Sequence, residues 1–232
     1  MIANPVQFSA LQERVTPPFD NGDCLDQPTF HRLYEQTPEG FKAELIRGVV
    51  YVASPTSSHH GGPHARAIHW LATYTDFTPG IGVGDNGTNI LGPEDEVQPD
   101  GFLILHPRFG GQTKIDRKGY VHGPPELVVE VANGSRAIDL NAKRIAYELA
   151  GVREYVVFEV KGSLIHWFVR RESGFEELQP GTDGVFRSEV FPGLWLHPKG
   201  FFAKSSKRMD HAPRRIGIRG THTVCRRVGI AT

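Results

Sequence analysis

Short apolar runs separated by glycine- and proline-containing turns dominate this chain, and they predict strands more often than helices. Runs at 41–46 and 49–53 flank Arg47-Gly48, a hairpin signal. Further strands are expected at 81–83, 88–91, 101–105, 126–132, 154–160, 164–170 and 175–179, with an edge segment at 191–196. Thr29 is placed to cap a short helix over 30–36. From Ala65 the spacing of Ile68, Leu71, Ala72 and Thr75 predicts a second helix, stopped by Pro79-Gly80. The strongest helical pattern runs from Ile138 to Ala150 and ends at Gly151. It lies between two strands, so it predicts a crossover and parallel pairing of 126–132 with 154–160. The expected class is α/β (α+β): a mixed β-sheet flanked by helices. Residues 107–125 form a long, charged, glycine-rich connection of the kind that is often functional.

One position breaks the pattern. Glu130 sits inside Leu127-Val128-Val129-Glu130-Val131-Ala132, a run that reads as a strand covered on both faces. A carboxylate there must be protonated, paired or bound to a cation. Asp100 stands at the start of another apolar run, after Gln98-Pro99, and Glu44 lies within Phe41-Lys42-Ala43-Glu44-Leu45-Ile46. Three such carboxylates offer only oxygen, which selects Mg²⁺ or Mn²⁺ over zinc. Mg²⁺ retains waters, leaving room for a phosphate oxygen and an attacking water, as phosphodiester hydrolysis requires. Asp139 and Lys143 are four apart on the following helix and share a face. A lysine there can orient the water or offset transition-state charge. Plainer readings compete: Glu44 on the exposed side of an edge strand, Asp100 as a turn acid, Asp139 and Lys143 as a surface ion pair.

The chain has 232 residues, enough for one domain of about 200 residues and its ends. Its two cysteines, Cys24 and Cys225, form no CxxC pair and suit a reducing cytoplasm. No apolar stretch approaches the ~20 residues of a membrane span, and the N-terminus lacks the pattern of a signal peptide. The formal net charge is zero. It hides a basic end, with Lys204, Lys207, Arg208, Arg214, Arg215, Arg219, Arg226 and Arg227 against Asp210. Such an end is either a solvated tail or a non-specific phosphate contact. His59, at a helix start, is a candidate groove residue together with Asp139. No His-Glu-x-x-His, phosphate-binding Gly-x-x-x-x-Gly-Lys-Ser/Thr loop or Gly-x-Ser-x-Gly elbow occurs, which argues against zinc hydrolase, P-loop and α/β-hydrolase chemistry.

The ordered set Ala43-Glu44-Leu45-Ile46-Arg47-Gly48, Ser54-Pro55-x-x-x-His59, Gln98-Pro99-Asp100, Glu126-Leu127-Val128-Val129-Glu130-Val131 and Asp139-x-x-x-Lys143-x-x-x-Tyr147-x-x-x-Gly151-Val152-x-Glu154-Tyr155 resembles the Uma-type restriction endonucleases of the PD-(D/E)XK nuclease superfamily. The resemblance implies a nuclease-like domain over 29–200; composition marks 1–28 as a loosely ordered lead-in and 201–232 as a basic, disordered tail, which lies outside the resemblance. The resemblance also implies an Mg²⁺-dependent endodeoxyribonuclease, with Glu44, Asp100 and Glu130 as metal ligands and DNA as partner. The superfamily's lysine, two residues after the second acid, is replaced by Ala132; Lys143 is the substitute. Asn133-Gly134-Ser135 and Glu159 also depart from the family pattern. The missing lysine leaves an alternative, a catalytically inactive nuclease-like fold that binds nucleic acid or protein. Double-strand cutting would suit a symmetric homodimer.

Overall fold

Period-two alternation decides which layer each strand residue enters. The computed structural model describes residues 17–53 and 58–203, without the side chains of 58–60. Helix α1 (Gln27–Tyr34) precedes the hairpin of β1 (Ala43–Ile46) and β2 (Val49–Val52). Helix α2 (Ser58–Asp76) leads to β3 (Ile81–Gly84), β4 (Asn89–Gly92), β5 (Asp95–Val97) and β6 (Gly101–Leu105). Two short strands follow, β7 (Lys114–Ile115) and β8 (Val121–His122), and then β9 (Leu127–Ala132). A π-helical segment, Ile138–Lys143, runs into α3 (Arg144–Ala150). The chain continues through β10 (Glu154–Glu159), β11 (Leu164–Arg171), β12 (Gly174–Glu177), β13 (Phe186–Arg187), β14 (Trp195–Leu196) and α4 (Pro198–Phe202).

The strands form two six-stranded mixed sheets rather than the single sheet expected, together with the β13–β14 hairpin. One sheet has the order β2-β1-β5-β4-β8-β7, the other β12-β11-β10-β9-β6-β3. β9 and β10 pair in parallel, as the crossover predicts. Along β9, Leu127, Val129 and Val131 enter one core with Ala67 and Leu71 of α2. Val128 and Ala132 enter a second core with Ile46 and Val97 of the other sheet and with Ala146 and Tyr147 of α3. A third core packs Phe30 of α1 against Ala43, Leu45 and Val50. Glu130 therefore shares its face with Val128 and Ala132, and Glu44 shares its face with Ile46. The two acids, on different sheets, are directed into the same interlayer space.

Several boundaries differ from expectation. Asp26, not Thr29, caps α1: its side chain accepts from the Thr29 amide, and the helix starts three residues earlier. β5 was hidden in the acidic Asp95-Glu96-Val97, and 107–125 contains a small hairpin, β7–β8. Gly151 closes α3 with φ +101, a conformation that favours glycine. Among the described residues no helix is long and apolar enough to cross a membrane. The basic segment from Lys204 onward and residues 1–16 lie outside the described residues.

Candidate active site

Glu44, Asp100, Glu130, Asp139 and Lys143 all line one cavity of about 430 Å³. They come from four separate parts of the chain. Glu44 comes from β1, an interior strand held between β2 and β5, which removes the edge-strand reading. Its Oε1 accepts the Gln98 amide at 2.7 Å. Asp100 immediately precedes β6 and is more than a turn acid: its Oδ2 accepts the Val131 amide of β9 at 2.7 Å. Glu130 is 3 % exposed. Asp139 and Lys143 come from the π-helical segment and are buried, so they are not a surface pair. Segments of this kind often accompany functional sites.

The Lys143 ammonium lies between the sheets, 2.8 Å from Glu44 Oε2 and 3.0 Å from Glu130 Oε1. Glu130 Oε1 also accepts the Tyr147 hydroxyl at 2.8 Å. Burial pushes the Glu130 carboxyl well above the usual carboxylate range, against the pull of Lys143; Asp139, Asp100 and Glu44 add repulsion. Burial disfavours the Lys143 charge as well, but Glu130, Glu44 and Asp139 outweigh it, and its affinity for the proton rises well above an ordinary lysine. Lys143 is thus an ammonium at neutral pH. Tyr147 and Tyr155 are held as neutral phenols, chiefly by burial. Tyr155 donates to the Asp139 carbonyl at 2.9 Å and pins the start of the helical segment.

Burial is also the main reason why the Asp139 carboxyl is raised from 3.8 to about 6, against the nearby Lys143 and the Ser135 hydroxyl at 2.5 Å. The folded chain binds this proton more tightly than the unfolded chain. The contribution to stability is therefore complete below about pH 3.8 and lost as pH rises through about 6. In thermal melts, the stability of wild type relative to Asp139→Asn should decline between pH 4 and 6.5 and level off above. A difference constant across that window contradicts the assignment.

The donors are chemically those of a hard divalent cation, carboxylate oxygens lining one cavity. Among the described residues no three His, Cys, Asp or Glu side chains are already gathered as a metal centre. The ammonium of Lys143 stands between two of them. The chemistry of the donor set fits such an ion, because carboxylates outnumber lysines in the cavity lining.

Sequence reasoning missed Tyr147 as a partner of Glu130, although its place one helical turn after Lys143 was a signal. It also missed the role of the Gln98 amide, which no side-chain pattern announces. His59 belongs to α2, but its side chain, like Ser54-Pro55, lies outside the described residues. The basic residues of 107–125 are not among those lining this cavity: β7 lies four strands from β1 in the same sheet, about 19 Å away, and Lys118 is paired with Glu35 at 2.6 Å. Two other buried acids have structural partners. Glu126 accepts the Leu105 and Gln112 amides, and Glu154 accepts the Ser188 hydroxyl and the Glu189 and Val190 amides.

A crystal structure of "a putative nuclease belonging to DUF820 from Anabaena variabilis ATCC 29413" shares the fold, with TM-score 0.59 and 12% identity over 74% of this chain and 96% of that one. The chain belongs to the Uma2 family, described as "Putative restriction endonuclease", whose model matches residues 27–199. No curated protein sequence matches it.

Proposed function

We propose that this protein is an Mg²⁺-dependent endodeoxyribonuclease that hydrolyses DNA phosphodiester bonds, with Mn²⁺ able to substitute. The observation that carries the reading is the meeting of Glu44, Asp100, Glu130 and Lys143 on one cavity, from elements scattered along the chain. Glu44, Asp100 and Glu130 would hold the ion. When bound, it supplies Lewis-acid polarisation of the phosphate. The protein's own groups do the rest. The Gln98 and Val131 amides fix the orientation of Glu44 and Asp100, and Tyr147 fixes that of Glu130. Lys143 replaces the lysine absent at Ala132. Turned from its two carboxylates toward a phosphate, its ammonium offsets the charge that develops in the transition state.

Purified wild-type protein should nick or cut DNA with Mg²⁺ or Mn²⁺ and stop when the ion is chelated. The reading is overturned if supercoiled, linear and single-stranded DNA all stay intact with both ions. The closed Lys143 bridge and the missing lysine at Ala132 favour a second reading, a binding module without catalysis. Salt-sensitive DNA binding that needs no divalent ion, with no cleavage, is its signature.

A further inference from the structure

We infer that Lys42 is a substrate-contacting residue that anchors the DNA phosphate next to the one being cut; this rests on the nuclease reading above. Lys42 immediately precedes β1, and its carbonyl accepts the Ala53 amide at 2.9 Å, which extends the β1–β2 ladder by one pair. Residues 42 and 44 are two apart on an extended strand, so their side chains leave the same face, about 7 Å apart. Lys42 and Glu44 both line the cavity. A spacing of this size is comparable to that between successive phosphates of one strand.

The charge arrangement selects an anion for this position. Among the described residues lining the cavity, the cations are Lys42 and Lys143. Lys143 is neutralised by Glu44 and Glu130, whereas the exposed Lys42 ammonium donates to the neutral side-chain oxygen of Asn86, at 3.1 Å. That contact aims the ammonium without quenching its charge. Asn86 itself is held in place: its backbone takes φ +51, which asparagine tolerates better than most residues, and its amide nitrogen donates to Asp85 Oδ1 at 2.6 Å. A phosphodiester entering a cavity lined by Glu44, Asp100, Glu130 and Asp139 meets positive charge at these two lysines alone among the described lining residues. With Lys143 serving the phosphate that reacts, Lys42 is left for its neighbour.

The test compares wild type, Lys42→Gln and Lys42→Arg as full chains. Binding of a fluorescent DNA oligonucleotide is measured by anisotropy with divalent ions chelated, over a range of KCl, and cleavage kinetics are measured with Mg²⁺. Lys42→Gln should weaken binding about tenfold near 0.1 M salt and reduce the salt slope by about one ion. In cleavage the loss should fall on KM rather than kcat. Lys42→Arg should retain most of the affinity and the slope. If wild type binds and cuts DNA while Lys42→Gln matches it in affinity and slope, the inference fails and the nuclease reading stands. Equal losses in Lys42→Gln and Lys42→Arg also overturn it, because they indicate a structural role. If wild type neither binds nor cuts, the nuclease reading fails first.

Discussion

Glu130→Gln and Asp100→Asn should each lower the rate of DNA cleavage by about 10³-fold or more, a loss of the size expected when a charge-stabilising group is removed from a preorganised site. Glu130 is the stronger case. It is the acid that the apolar faces of β9 have least reason to contain, and it lies at the meeting point of Lys143 and Tyr147. The amide in Glu130→Gln keeps an oxygen for the Tyr147 hydroxyl and nearly the same volume, so the core is preserved while the charge is lost. Asp100→Asn likewise keeps an acceptor for the Val131 amide. Initial rates of nicking on circular DNA, with thermal melts as the folding control, measure the effect. A well-folded variant cutting within tenfold of wild type contradicts the assignment.

Lys143→Met should have the second largest effect, and on two properties at once. Cleavage should fall by about 10²–10³-fold, because no other buried cation is available to the phosphate among the described residues of the cavity. Stability without divalent ions should fall by about 3 kcal/mol, the order expected when one partner of a buried ion pair is deleted. Glu44 and Glu130 would then face each other without the ammonium that lies 2.8 and 3.0 Å from them. A divalent ion binding only the folded state stabilises it by mass action. Mn²⁺ should therefore recover much of the lost stability and raise the variant's melting temperature more than that of wild type, since the competing ammonium is gone. Urea unfolding with and without Mn²⁺ measures this. Unchanged stability in the chelated sample, or equal Mn²⁺ responses, contradicts the bridging role.

The same physical contrast made part of the site legible in the sequence. Glu130 was conspicuous because a charge interrupted a run that alternation could not divide into wet and dry faces. The crossover helix was legible because a 3.6-residue pattern lay between two buried strands, and it correctly implied parallel β9 and β10. Glu44 was ambiguous for a definite reason: its environment depends on β5, three residues long and two of them acidic, which carries almost no local signal. The same weakness concealed the second sheet, because β7 and β8 have two residues each and owe their place to partners rather than to their own propensity. Asp139 and Lys143 could be read as site residues or as a surface pair, because helical spacing does not reveal burial. Their depth follows from the π-helical segment and from the sheets that close over it.

The central claim is that Glu44, Asp100 and Glu130 share one divalent ion beside an amine. Calorimetric titration of Mn²⁺ into wild type and Glu130→Gln, each with a DNA oligonucleotide present, addresses it most directly. The predicted result is saturable uptake by wild type that is lost or strongly weakened in the folded variant. No uptake by wild type even with DNA, or identical uptake by both proteins, would contradict it.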